Sequence, residues 1–410
     1  LTALRLPVRH LRPSRLVTLN IPPSWRSKQN LFALDSAAGQ ALRGARWGLL
    51  VVWAAALVVN WHKYGIPFDA QGLLLWIGLG LAAACFGKHP VWILWVIVDF
   101  APFALLLFVY DLLRAGSYKV GFPAWWHPQI HLDRFLFFGH EPTVWLQEHL
   151  KYGQVRWYDV VICVVYFSYF FVPYLTAGVL WVRGRRSFYR WSLRFLGLSF
   201  FCYALFVLIP SAPPWAAARC TPDEVAGHPA DPRCLYYSAE SVPDGGLLGA
   251  FTTHRAGAHP WVEPIVSRGF YKLHLSAAAD LIQSGHSLFD PVAAIPSLHV
   301  GATTMFCIFM WTRVSRWVRP VIVAYPLLMT FTLVYSAEHY VTDAIAGAAA
   351  AFFVNWVAGR IENRIATRRA PDTLEPPSEQ QLESPCPPTS IPHPGLPPDP
   401  PQLVTTPSST

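Results

Sequence analysis

Eight long apolar runs constrain this chain more than any other feature. They lie at about 47–61, 70–86, 91–113, 158–181, 191–210, 297–312, 319–336 and 340–358. The hydrocarbon core of a bilayer is about 30 Å thick and takes roughly 20 apolar residues to cross as a helix. The runs at 47–61, 70–86 and 297–312 fall short of that length; the others meet or approach it. The chain is 53% hydrophobic and 14% charged, with a mean hydropathy of +0.31. A soluble domain carries about 25% charged residues, and a disordered chain is poorer in apolar ones. Both classes are excluded. The expectation is an all-α polytopic membrane protein with about eight transmembrane helices. Eight Lys and Arg residues precede the first run and no small-residue cleavage site follows it, so no removable signal peptide is expected. No repeat of 20–50 residues is visible.

Charge then orients the spans. The net charge is +8, but residues 371–410 hold five acidic residues and no Lys or Arg. Residues 1–370 therefore carry 32 basic against 19 acidic side chains. Such basicity is read as topological, with no nucleic-acid partner implied, because it clusters beside the apolar runs. Arg5, Arg9, Arg12, Arg15, Arg26, Lys28, Arg43 and Arg46 precede the first span. Arg183, Arg185, Arg186 and Arg190 follow the fourth, Arg313, Arg316 and Arg319 the sixth, and Arg360, Arg364, Arg368 and Arg369 the eighth. Both termini cytoplasmic puts every one of these groups inside. Segments 114–157 and 211–296 then lie outside; with His62, His299 and His339 counted at the same face, twelve of the 15 His fall on the outer side, which favours outward-facing chemistry.

The expected organisation is a basic cytoplasmic arm over 1–46, two extra N-terminal spans over 47–90, a catalytic membrane domain over 91–358 and a disordered tail over 371–410. The tail has 13 Pro in 40 positions and cannot bury enough apolar surface to fold. Cys220 and Cys234 are the two cysteines in an outer loop, placed to close a small disulfide ring or to stay as free thiols. Segment 122–150 mixes Trp125, Trp126, Phe135, Phe137, Phe138, Trp145 and Leu146 with polar residues, the composition of a short helix at the membrane interface. Ile209 to Trp215 reads Ile-Pro-Ser-Ala-Pro-Pro-Trp and must turn the chain.

Two short stretches carry chemical potential. Pro296-Ser297-Leu298-His299 enters the sixth span, and His339-Tyr340-Val341-Thr342-Asp343 enters the eighth. Both spans run inward from the outer face, so the two His share a depth and a side. His339 and Asp343 are four residues apart, on one helical face and within reach of each other. An Asp one turn inside a membrane helix requires a partner, and the imidazole is the obvious one. The pattern is that of a nucleophile oriented by a carboxylate, with a second His for proton transfer.

At these residues the chain resembles the PAP2 (type 2 phosphatidic acid phosphatase) superfamily, in its aureobasidin-resistance-like inositol phosphotransferase branch. Pro296-Ser297-Leu298-His299 is similar to the second phosphatase motif, and His339-Tyr340-x-x-Asp343 to the third. Asp133 through Leu146, with Phe138-Gly139 and Pro142, and Ser211-Ala212-Pro213-Pro214-Trp215 are similar to stretches of that branch. The resemblance covers roughly 91–358 and implies that the last six spans form a PAP2-like helical core. It also implies that His339 attacks phosphorus, that Asp343 orients it and that His299 protonates the leaving alcohol. The implied donor is a membrane lipid phosphate, the acceptor water or an inositol-like polyol, and no cofactor or metal takes part. The implied site faces outward, with the plasma membrane as the expected location.

Two departures matter. The first phosphatase motif, K-x6-R-P, is absent upstream of His299, and Arg313 to Arg319-Pro320 is one residue short and on the cytoplasmic turn. Thr332 and Leu333 stand where the third motif opens with Ser-Arg. Arg268 and Lys272, in the loop before His299, are the candidate replacements for the missing phosphate-binding cations, with Ser297 as an added contact. Three other readings compete with this one. A transporter or flippase would draw on Asp99 with Pro102 and on Pro173, although Asp99 equally fits a structural polar contact or a cavity lining. His127 and His131 have metal-ligand spacing, with Asp133 two residues further on. A glycosyltransferase would need an acidic pair where Asp69 stands alone.

Overall fold

Leu, Val, Phe and Trp in unbroken runs bury no polar side chain and leave the backbone to satisfy itself, which a helix does at every residue. In the computed structural model all eight apolar runs are helical. The structure describes residues 37–64, 70–87, 91–114, 116, 120–238, 241–253, 255–273, 275, 279 and 291–368. Most of the expected N-terminal arm, the Pro-rich tail and Asp69 lie outside them. The chain divides into two units, Leu16–Asn363 and a second comprising Leu1–Arg15 with Arg364–Thr410. Of the second, only Arg364 to Arg368 are described, in helical conformation. No strand forms among the described residues; isolated bridges join Trp125 to Ser211 and Ser211 to Ala293.

Thirteen helices account for the described chain. The N-terminal three are α1 (Ala37–Tyr64), α2 (Ala70–Cys85) and α3 (Val91–Arg114). Two short helices follow, α4 (Pro128–Leu136) and α5 (Pro142–Leu150). Next come α6 (Trp157–Ser168), α7 (Val172–Arg183) and α8 (Arg185–Leu208). The short α9 (Pro214–Ala217) and α10 (Arg268–Lys272) belong to the long segment after α8. Last are α11 (Leu298–Met310), α12 (Arg319–Tyr335) and α13 (Val341–Arg368). Stretches Gln40–Trp61, Val91–Arg114, Arg185–Leu208 and Val341–Thr367 are long and apolar enough to cross a membrane, while α11, α12 and most of α2 are shorter apolar helices. This is a multi-pass membrane protein.

The run expected as one span over 158–181 is two helices, α6 and α7, bent by 51°. Pro173 sits in the first turn of α7, where its missing N–H costs nothing, and the chain turns through Tyr169–Phe171 before it. Segment 122–150 likewise forms two helices rather than one. Phe138 and Gly139 adopt φ of 56° and 96° between them, a left-handed corner that glycine takes without strain.

Packing is continuous through the helices. α2 contacts α1, α3 and α7; α8 contacts α3, α7 and α11; α12 contacts α11, α6 and α5. Aromatic side chains fill the centre, with Phe100, Phe103, Trp181, Phe188, Trp191 and Phe195 in one buried cluster. Within it Asp99 is fully buried. Trp181 Nε1 donates to its Oδ2 at 2.8 Å, Arg185 donates from Nε and Nη2 at 2.6 Å each, and the Tyr189 hydroxyl donates as well. Asp99 is thus a structural polar contact that ties α3 to α7 and α8. Cys220 and Cys234 are joined as a disulfide with a Cα–Cα distance of 5.1 Å, and Lys151 Nζ donates to the Trp261 carbonyl at 2.5 Å.

Removing one side of a buried ion pair strands the other charge. Arg185→Ala is expected to lower unfolding free energy by about 3–5 kcal/mol, read as a fall in the thermal midpoint in detergent. Asp99→Leu combined with Arg185→Leu is expected to recover most of the loss. An unchanged midpoint in Arg185→Ala would show that the clamp contributes nothing.

Candidate functional site

The site is assembled where α11 and α13 begin. Glycine allows the two helices to touch there. A Cβ on Gly347 would overlap the Ser297 carbonyl oxygen, and one on Gly301 would meet the Gly347 carbonyl at 3.1 Å. Small residues permit such close backbone approach between membrane helices. Ser297 N donates to the Asp343 carbonyl at 2.9 Å, which ties the two helix starts together. Ser297 itself is fully buried and its Oγ accepts from Val300 N at 3.4 Å, the N-cap contact of α11.

This arrangement brings His299, His339, Asp343 and Ser297 together. The His299 and His339 rings lie 5.7 Å apart between centroids. His339 Nδ1 is 3.5 Å from Asp343 Oδ2, within ion-pair range and longer than a good hydrogen bond. Asp343 Oδ2 accepts from Tyr340 N at 3.0 Å. Asp343 is fully buried and His339 nearly so. His299 rests in an aromatic cradle: Tyr169 at 4.1 Å and Tyr166 at 5.1 Å, with Phe170 edge-on at 6.2 Å. Tyr169 and Phe170 come from the break between α6 and α7, so the bend delivers aromatic faces to this histidine.

The turn that carries His339 is held from several sides. α12 ends at Ser336, and Ala337 takes a left-handed φ of 62°. The Ala337 carbonyl accepts from Trp215 N at 3.0 Å, which places the Ser211–Trp215 stretch directly behind the turn. Gln147 Nε2 donates to the Tyr335 carbonyl at 2.9 Å and to the Glu263 carbonyl at 2.7 Å. From α4, Asp133 reaches the start of α13, its Oδ2 accepting from Val341 N at 2.8 Å and its Oδ1 from Thr342 N at 2.9 Å. Burial raises the Asp133 carboxyl above its usual range, and those amide bonds oppose the rise. Glu141, the N-cap of α5, accepts from Val144 N at 2.7 Å. Burial, reinforced by Asp133, pushes it up to about 7 against the lowering effect of its Val144 bond.

Arg268 and Lys272 occupy α10, which packs on α6. Arg268 Nη2 donates to the Tyr152 carbonyl at 2.6 Å and the Gly153 carbonyl at 2.9 Å, and Lys272 Nζ to the Val155 carbonyl at 3.4 Å. Charge reaches His299 from the neighbouring His339 and, less strongly, from Arg114 at the end of α3. Sequence reasoning missed Arg114 because nothing in its spacing links it to a histidine 185 residues later. Asp133 was visible within a stretch of family resemblance, without a role. His127 and His131 stack with their rings 6.2 Å apart, and no three His, Cys, Asp or Glu side chains group as a metal site among the described residues.

Residues 129–357 match the family model described as the PAP2 superfamily. No curated protein and no solved structure matches the chain.

Two expectations follow from this packing. Gly347→Ala forces α13 away from the Ser297 carbonyl and should cost about 1–3 kcal/mol, whereas Gly48→Ala, with nothing within 4 Å, should not lower the thermal midpoint. An unaltered midpoint in Gly347→Ala would mean that the helices do not meet there. Glu141 titrates higher in the folded state than in the unfolded one, so its contribution to stability is present below about pH 4.5 and is lost as pH rises through about 7. The decline is on the order of 3 kcal/mol, and Glu141→Gln should flatten this part of a plot of thermal midpoint against pH. Identical slopes for the two proteins would show that Glu141 ionises normally.

Proposed function

The chain belongs to the PAP2 superfamily, whose members are generally phosphatases, and from that premise we propose that it cleaves a membrane lipid phosphate through a phosphohistidine on His339. The observation that carries the proposal is the pairing of two histidine rings at the starts of α11 and α13, with Asp343 beside one of them. Asp343 lies on the Nδ1 side of His339, which favours the tautomer with the proton on Nδ1 and leaves Nε2 as nucleophile.

His339 Nε2 attacks phosphorus as the bond from phosphorus to the lipid oxygen breaks. His299 gives a proton to that oxygen, and the alcohol leaves. The nucleophile becomes cationic, and Asp343 stabilises it. In the second half, His299 takes a proton from the entering hydroxyl, whose oxygen attacks phosphorus while the P–N bond breaks. The Tyr166 and Tyr169 rings pack on His299 and hold its imidazole in place beside His339. Asp133 already occupies the amides at the start of α13, so the phosphoryl charge must be met elsewhere. Arg114 is the cation we assign to it, with Ser297, Arg268 and Lys272 as further candidates.

Water as the entering group makes the enzyme a phosphatase; an alcohol makes it a transferase. We favour an inositol-like polyol acceptor, on the strength of the His-Tyr-x-x-Asp form at 339–343 and the branch-like stretches at 133–146 and 211–215, both of which bear on the His339 turn. The flanking Arg clusters support cytoplasmic termini and a site at the outer face of the plasma membrane.

Purified protein given labelled phosphatidate, lysophosphatidate and polyprenyl diphosphate, with and without myo-inositol, is expected to turn over at least one donor. His339→Ala should reduce that turnover at least about 1,000-fold, in line with loss of a covalent nucleophile. Asp343→Asn and His299→Ala should each cost about 100-fold or more, with all three variants retaining the wild-type thermal profile. Turnover by His339→Ala at the wild-type rate, or no turnover of any donor by the wild type, would overturn the proposal.

A further inference from the structure

The first turn of α13 has a problem that its own sequence does not solve. A helix begins with amide N–H groups that have no intrahelical acceptor, and the residue before the first turn usually caps them. Here that residue is Tyr340, whose phenol cannot fold back onto the following amides. Asp133 supplies the cap from α4, 208 residues earlier for Val341 and 209 for Thr342, one oxygen to each amide. Asp343 completes the arrangement by reaching back to Tyr340 N. This is a capping box built from two chain segments instead of one.

We propose that Asp133 is a positioning residue for the His339–Asp343 pair. The proposal rests on the reading of His339 as nucleophile. Asp343 Oδ2 makes two contacts, with Tyr340 N at 3.0 Å and with His339 Nδ1 at 3.5 Å. A helix start that slips or frays moves Asp343 and the His339 backbone relative to each other. Asp133 removes that freedom. Its side chain is fully buried, so water does not compete for the two amides. The groups facing it are the Val341 and Thr342 amides, Glu141 before α5, and Asp343 on α13 itself. The Asp133–Leu146 stretch thereby acquires a purpose: its first residue caps the helix that carries Asp343.

The test compares Asp133→Asn, Asp133→Ala, Asp343→Asn and the double variant Asp133→Asn with Asp343→Asn, using the full chain in detergent. The substrate is whichever of the three donors named above the wild type turns over. Asp133→Asn keeps the volume and one acceptor but turns an amide N–H against a backbone donor. In folded protein it is expected to lower kcat about 10- to 100-fold, the scale of a misplaced reacting group, with KM within about twofold of wild type. Because Asp133 acts through Asp343, adding Asp133→Asn to Asp343→Asn should cost less than about threefold more. Wild-type kcat in folded Asp133→Asn would overturn the proposal. So would a full multiplicative loss in the double variant, or a rise in KM without a fall in kcat. Failure of both single Asp133 variants to fold would also overturn it, by assigning Asp133 to stability alone. Should His339→Ala retain turnover, it is the phosphohistidine reading that fails, a result separate from any of these.

Discussion

The contact of Gly347 with the Ser297 carbonyl sets the distance on which the whole site depends. Without a hydrophobic driving force between helices in lipid, close packing and hydrogen bonds decide which helices meet and how closely. Two glycines and the Ser297–Asp343 backbone hydrogen bond let α11 and α13 approach near their N-terminal ends. The histidines at these helix starts come together edge to face as a consequence. Further along, Leu298, Ala302 and Met305 of α11 and Ala350, Ala351 and Val354 of α13 share one core, so the approach is maintained by apolar packing below the site.

Around this pair the structure places rigid supports instead of additional reactive groups. The bend between α6 and α7 interrupts a span, and irregular backbone at membrane depth is tolerated where protein buries it. What it delivers is Tyr169 and Phe170 against His299. The short helices and loops do the same for His339. Trp215, Gln147 and Asp133 come from three separate stretches and hydrogen-bond to backbone atoms within the narrow region from Tyr335 to Thr342. Backbone positions, fixed this way, leave the His339 and Asp343 side chains available for chemistry.

Much of this was legible in the sequence, and unevenly so. All eight apolar runs became helices because apolar length is a local property and lipid offers no competing structure. The His339–Asp343 contact was legible because the helical period alone puts residues four apart on one face. The aromatic cradle was not, since Tyr166 and Tyr169 belong to a run that reads as one span until Pro173 begins a second helix. Arg268 and Lys272 are close to His299 in sequence, and what their side chains touch, the carbonyls of Tyr152, Gly153 and Val155, is set by the packing of α10 on α6. Arg114 closes a span and looks like any other interfacial charge until the fold brings its charge within reach of His299.

The sequence by itself determined the material and the period: apolar runs that have to be helices, basic flanks, and a histidine–aspartate pair one turn apart. Only the tertiary structure decided which polar groups face one another. Hydrogen bonds such as those from Val341 and Thr342 to Asp133 join residues more than 200 positions apart. No local propensity encodes such a distance; it follows from how α4 and α13 are packed. The same holds for Asp99, which reads as an isolated charge in a span and proves to be the hub of α3, α7 and α8. A buried charge is tolerable only with partners, and the identity of those partners is a property of the fold.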